Sequence, residues 1–254
     1  MELRILGSGT STGVPEIGCN CSVCKSDDMR DHRLRTSSLI HTNDSLILID
    51  CGPDFRQQML QVPAFEKIDG VLVTHEHYDH VGGLDDLRPF CRFGEIPVYV
   101  DHYTSSHLKA RMPYCFVDRQ YPGVPRIFLN EIGAGKVFFI NQTEILPFCV
   151  MHGSLPILGY RIDKRIAYIT DMLTMPDESY ECLKDIDVLI VNALRIQPHA
   201  SHQTISEAIT TAERINARMT YFVHMSHQAG LHLELEKQLP EGIHLAYDGM
   251  VLDI

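Results

Sequence analysis

The stretch Thr74-His75-Glu76-His77-Tyr78-Asp79-His80-Val81-Gly82-Gly83 constrains this chain more than any other. It places four potential metal ligands, His75, His77, Asp79 and His80, within six residues. Residues 69–74, just before it, are rich in branched apolar side chains and read as a short buried strand. The ligands therefore fall where a strand ends and a loop begins, a common seat for chemistry on a rigid scaffold. Alternation along an extended chain sends His75 and His77 to the same side. Asp79 and His80 follow after the chain turns, so they can face a second centre. Imidazole suits Zn, Fe and Mn, and a carboxylate favours the harder ions among them. A surface pair of His means little alone. Three His and one Asp in six residues, bounded by a strand and Gly82-Gly83, point to a metal site.

The same event recurs along the chain. A predicted strand ends and a His or Asp appears at His152, at Asp171 and at His224. With the first stretch these make seven ligands, enough for two adjacent ions. The simplest split puts His75, His77 and His152 on one ion and Asp79, His80 and His224 on the other. Asp171 bridges, and the open positions share a water or hydroxide.

A third cluster is Cys19-Asn20-Cys21-Ser22-Val23-Cys24. Three thiols can wrap a tetrahedral Zn²⁺, but a closed structural site wants a fourth ligand. A redox pair, Cys21 with Cys24, or inert buried thiols are the competing readings. The opening residues lack the charged and apolar pattern of a secretory signal, and no apolar run reaches membrane-spanning length. A cytoplasmic protein is expected, and in a reducing compartment clustered Cys serve metals more often than disulfides.

The 254 residues, 44% of them hydrophobic, can bury a sizeable core, and we expect a single domain over residues 1–254. The formal charge of −11 argues against bulk nucleic-acid binding. Bound divalent cations would still admit an anionic substrate. The pattern predicts strands at residues 3–6, 37–40, 45–49, 96–100, 137–140, 144–150, 159–162, 165–170, 188–192 and 219–223. A helix at 54–60 follows Pro53, and another follows the capping box Thr204-Ile205-Ser206-Glu207. Helices are also expected at 102–111, from Met175-Pro176 to 183 and at 231–239. Residues 84–89 read as a short helical turn ended by Pro89. Residues 112–135 read as irregular and as a wall around a substrate. Residues 244–246 and 250–254 read as a closing strand pair. The loop Gly7-Ser8-Gly9-Thr10-Ser11-Thr12-Gly13-Val14-Pro15 reads either as an anion cradle or as a turn that passes close to the metal site.

His-x-His-x-Asp-His, followed by His152, Asp171 and His224, resembles the metallo-β-lactamase superfamily over nearly the whole chain. The resemblance implies an α/β fold, the four-layer αββα sandwich, with metals at one edge. Gly9-Thr10-Ser11-Thr12-Gly13-Val14-Pro15, the Cys-x-Cys-x-x-Cys cluster and His224-Met225-Ser226-His227-Gln228 resemble the PhnP family of phosphoribosyl cyclic phosphodiesterases. That likeness implies a structural Zn²⁺ on Cys19, Cys21 and Cys24 with His227 as fourth ligand. It also selects His202 as a catalytic residue, a proton donor to the leaving group, beside Asp79 in the metal motif.

The expected activity is that of a dinuclear Zn or Mn phosphodiesterase acting on a small, cyclic phosphate ester. Such a substrate is the expected partner. Neither stable nucleic-acid binding nor membrane association is expected, and a homodimer is left open. The rivals are transfer-RNA 3′ processing of the tRNase Z kind, which wants a basic arm absent from this sequence, and thioester or lactam hydrolysis. A Cys-based redox or metal sensor is the rival outside enzymes.

Overall fold

The computed structural model describes residues 1–116 and 123–254. Six strands open the chain: β1 (Glu2–Gly7), β2 (Ser37–His41), β3 (Leu46–Ile49), β4 (Gly70–Leu72), β5 (Ile96–Val100) and β6 (Ile127–Glu131). Seven more build a second sheet: β7 (Phe138–Ile140), β8 (Thr143–His152), β9 (Leu155–Ile162), β10 (Ile166–Ile169), β11 (Val188–Asn192), β12 (Met219–Val223) and β13 (Ile243–Leu245). The last strand, β14 (Val251–Asp253), returns to the first sheet beside β1. The sheet orders are β14-β1-β2-β3-β4-β5-β6 and β13-β12-β11-β10-β9-β8-β7.

Alternation explains the layers. Ile47 and Ile49 of β3 point between the sheets, while Leu46 and Leu48 point outward to a second core. In β11, Val188 and Ile190 face inward and Leu189 and Val191 face outward. Such strands are buried on both faces and must be apolar throughout, as parallel-sheet strands usually are. The outer faces are covered by helices. Phe55 of α1 (Phe55–Met59) and Leu108 of α3 (His102–Arg111) cover the first sheet. The turns between them are the one-turn α2 (Tyr78–Val81) and a 3₁₀ helix, Leu84–Phe93. Ile205, Ala208, Ala212 and Ile215 of α5 (Ile205–Ile215) cover the second sheet, flanked by α4 (Asp177–Glu181) and α6 (His232–Glu236). This is the αββα sandwich.

The capping box forms as the sequence reads. The Thr204 side chain accepts from the Glu207 N–H, and the Glu207 carboxylate accepts from the Thr204 N–H. Three expectations need correction. Pro89 lies inside the Leu84–Phe93 helix rather than ending it: the segment is a run of 3₁₀ turns, where a residue without an N–H forfeits one i→i−3 bond and not a place in a continuous α-helical ladder. The closing strands are no pair: β13 joins β12 in one sheet and β14 joins β1 in the other. Within 112–135, the stretch expected to be irregular, β6 pairs in parallel with β5. That region's role as a substrate wall falls partly on residues 117–122, outside the described residues.

Pairs β3–β4, β4–β5, β10–β11 and β11–β12 are parallel. Parallel strands deliver their carboxyl ends to the same edge. This is why ligands scattered from residue 75 to 224 meet.

Candidate active site

His75 to His80 enter from the first sheet, after β4. His152 ends β8, Asp171 follows β10 and His224 follows β12 in the second sheet. One ligand-bearing group consists of His75, His77 and His152, and the other of Asp79, His80, Asp171 and His224. Within each, the ligating atoms all lie within 4.8 Å of one another. Asp171 also groups with His152 and His202, so its carboxylate stands between the two sets. Its Oδ2 is 3.2 Å from His80 Nε2 and 3.2 Å from His224 Nδ1, and its Oδ1 is 3.7 Å from His202 Nδ1.

The outward ring nitrogens are occupied. His80 Nδ1 lies 2.7 Å from Asp50 Oδ2, His75 Nδ1 3.0 Å from Thr74 Oγ1, and His152 Nδ1 3.0 Å from the Ser201 carbonyl. The buried Nε2 atoms of His75, His80 and His224 have no hydrogen-bond partner. Unpaired buried polar atoms are costly, so convergent bare nitrogens beside carboxylates fit divalent cations. The second-row partners fix ring tautomer and direction, as is usual around metal-ligating His.

Burial pushes the imidazoles of His75 and His224 below their ordinary pKa, which favours the neutral form that a metal requires. Burial opposes the charge on Asp171, but the His224 and His80 rings hold its carboxyl well below the usual range. His202 is 8% exposed, and burial depresses it to about 3.

Asp50 was not among the residues singled out in the sequence. It is fully buried, accepts from the Thr74 N–H at 2.8 Å and the Thr74 hydroxyl, and orients His80. The signal was present: Asp50 follows β3 as Asp171 follows β10. Asp50, Asp171 and His224 all adopt positive φ, 57°, 57° and 55°. Left-handed backbone costs roughly 1–3 kcal/mol per residue and persists where the surroundings enforce it, often at functional sites.

A second cluster joins Cys19, Cys21 and Cys24 to His227. His227 Nδ1 lies 3.3 Å from the Sγ atoms of both Cys19 and Cys21, and its Nε2 lies 2.9 Å from Glu16 Oε2. Glu16 is a further partner the sequence did not reveal. The Cys24 N–H and the His227 ring lower the Cys21 thiol to about 6, and burial raises Cys24 to about 11. The four donors suit a closed tetrahedral ion.

The model of the β-lactamase superfamily domain matches residues 46–225. The chain belongs to that superfamily, in its metallo-β-lactamase form. Within it the chain is PhnP-like: a crystal structure described as a new diphosphatase from the PhnP family superposes with a TM-score of 0.91 at 40% identity, covering 99% of this chain and 96% of that one. Zn²⁺-bound PqqB from Methylobacterium extorquens shares the fold at a TM-score of 0.81 and 21% identity, covering 100% of both chains. An octanoyltransferase of Porphyromonas gingivalis strain W83 is 47% identical over 252 residues, covering 98% of this chain and 51% of that protein. The chain spans between a third and about half of the length of the first curated relatives it matches. The fold and the two His/Asp groups are those of a divalent-metal site. Among the described residues no helix is long and apolar enough to cross a membrane.

Proposed function

We propose that the chain hydrolyses a P–O bond in a small phosphate compound, either a cyclic diester of the phosphoribosyl type or the anhydride of a diphosphate linkage. The observation that carries this reading is Asp171, whose carboxylate groups with Asp79, His80 and His224 and also with His152 and His202. The 40%-identical PhnP-family diphosphatase supports phosphorus as the reacting centre. His75, His77 and His152 would hold one ion, and Asp79, His80 and His224 the other, with Asp171 bridging. Two divalent ions, Zn or Mn, would supply hydroxide at neutral pH and neutralise charge on phosphoryl oxygens. A structural Zn²⁺ would sit on Cys19, Cys21, Cys24 and His227.

The protein's own groups do the rest. The ligand His residues are engaged and cannot also move protons. His202 stands 4.6 Å from His152 and 5.0 Å from His224, ring centre to ring centre, and would protonate the departing oxygen. Burial resists its protonation, while Asp171 and the negative charge of a bound ester favour it.

A second reading, acyl-group chemistry, follows from the Porphyromonas gingivalis relative's being an octanoyltransferase, although that relative is about twice as long as the stretch matched here. The test is a hydrolysis screen of protein loaded with Mn²⁺ or Zn²⁺. It spans cyclic and linear phosphodiesters, dinucleoside diphosphates, an octanoyl thioester, a β-lactam and precursor transfer RNA. Turnover of a small phosphodiester or diphosphate is expected. Turnover confined to the thioester, the lactam or the RNA overturns the proposal.

A further inference from the structure

His199 stands beside this site without a role in it. Its ring centre is 4.9 Å from that of His202, and the ring is partly exposed. The backbone N–H of Ser201 donates to His199 Nδ1 at 3.3 Å, and the Ser201 hydroxyl, also 3.3 Å from Nδ1, is free to rotate and donate as well. A backbone N–H can only donate, so Nδ1 is bare and a neutral ring carries its proton on Nε2. Burial and the neighbouring Arg195 hold the ring's pKa below its ordinary value, consistent with that neutral form. Among the described residues no side chain or carbonyl accepts from Nε2.

The loop that carries His199 is held in place. Arg195 donates from Nε to the Gln197 carbonyl at 3.1 Å and from Nη2 to the Pro198 carbonyl at 2.8 Å. Its Nη1 donates to Gln228 Oε1 at 2.9 Å. At the other end, the Ser201 carbonyl takes the 3.0 Å contact with His152 Nδ1. Those bonds hold the loop backbone that carries the ring, so little backbone ordering is lost when an oxygen arrives, a condition for effective electrostatic stabilisation.

We propose that His199 is a specificity-determining residue that donates its Nε2–H to a non-leaving phosphoryl oxygen of the substrate, while His202 serves the leaving oxygen. The assignment rests on the phosphohydrolase reading above. It predicts that His199 recognises the phosphoryl group itself, whatever alcohol or phosphate departs.

Two isosteric variants separate this role from a loop-holding one. His199→Gln keeps an N–H near the Nε2 position and gives up the Nδ1 contact. His199→Asn keeps an acceptor near Nδ1 and gives up the distal donor. Binding of inorganic phosphate to the metal-loaded protein is measured by calorimetry, with metal content checked in each variant. In parallel, kcat and KM are measured for esters with alkyl and nitrophenyl leaving groups. His199→Asn should weaken phosphate binding by about 10- to 100-fold, the usual loss for a hydrogen bond to a charged group, and slow both esters equally. His199→Gln should recover most of both. Recovery by Asn rather than Gln, loss in both variants, loss of metal, or a loss that depends on the leaving group overturns the assignment. The wider reading fails separately. Phosphate binding that depends on His199 in a protein that turns over neither phosphoester nor diphosphate leaves this contact standing and removes the proposed function. Phosphodiester turnover with phosphate binding indifferent to His199 does the reverse.

Discussion

At Asp171 a single side chain faces both ligand sets, and its charge is what makes that arrangement affordable. Asp171→Asn preserves size but removes the negative charge between two would-be cations. Turnover should fall by at least about 10²-fold, on the scale of losing a transition-state electrostatic contact, and a variant holding two ions with wild-type turnover would show that Asp171 does not bridge. Asp50 acts one step further out, through His80 Nδ1. Asp50→Asn should weaken catalytic-metal affinity by roughly 10- to 100-fold, as expected for an outer partner of a ligating His. Metal titration of the apo protein reads this directly, and unchanged affinity would reduce Asp50 to a packing role. His202 is tested by leaving groups. A positioned general acid contributes about 10²–10⁴-fold, and mostly where the leaving oxygen is basic. His202→Ala should therefore slow an alkyl ester strongly and a nitrophenyl ester far less. Equal losses would make it a binding residue, and no loss would leave it a packing residue ahead of α5.

At the scale of elements, two loops bring the ligands into register by close backbone contact. Cys51 N–H donates to the His80 carbonyl at 2.7 Å, and Gly83 N–H donates to the Cys51 carbonyl at 2.8 Å. A Cβ on Gly52 would lie 2.0 Å from the Asp79 carbonyl oxygen, and one on Gly83 would lie 2.0 Å from that of Gly52. Backbone cannot yield as a flexible side chain does. Gly52→Ala should thus displace Asp79 and His80, lowering catalytic-metal occupancy well before it unfolds the chain; full occupancy in elemental analysis would refute this. These contacts join segments distant in sequence, and no local pattern announces them. What the sequence did announce was local. Doubly apolar β3 and β11, the Thr204 capping box and the repeated appearance of His or Asp at strand ends are all written within a few residues. The missed β6 lies in a stretch whose Pro, Gly and aromatic content masks a five-residue strand. The pairing of β14 with β1, rather than with β13, is decided by the returning chain and not by the residues of either strand. Asp50 was legible by the strand-end rule, but the neighbouring Cys51-Gly52-Pro53 reads first as a helix start.

For the whole molecule, the Cys cluster ties its beginning to its end. Residues 19–24 meet His227, three positions after His224, across a loop already held to the N-terminal strand end. Met225 N–H donates to the Ser8 carbonyl at 3.0 Å, and Thr10 N–H donates to the Met225 carbonyl at 3.0 Å. An ion there would brace a catalytic ligand without touching substrate. The two kinds of site should differ in lability. The His/Asp set draws on two sheets and would be open to substrate, so ions held there could leave while the fold persists. The Cys₃His set is closed and thiolate-rich, and losing its ion leaves three thiols and an imidazole with no other partner of comparable strength. A chelator of moderate strength should therefore strip the catalytic pair first, with activity lost and the far-ultraviolet dichroism unchanged. One further equivalent of Zn should remain until acid or a thiol reagent releases it. Cys21→Ser should lack that last equivalent and show a lower melting temperature with its catalytic ligands intact. Equal Zn in wild type and in a normally folded Cys21→Ser protein would rule out the third site. Release of all Zn in one step would show instead that the two sites share a single fate.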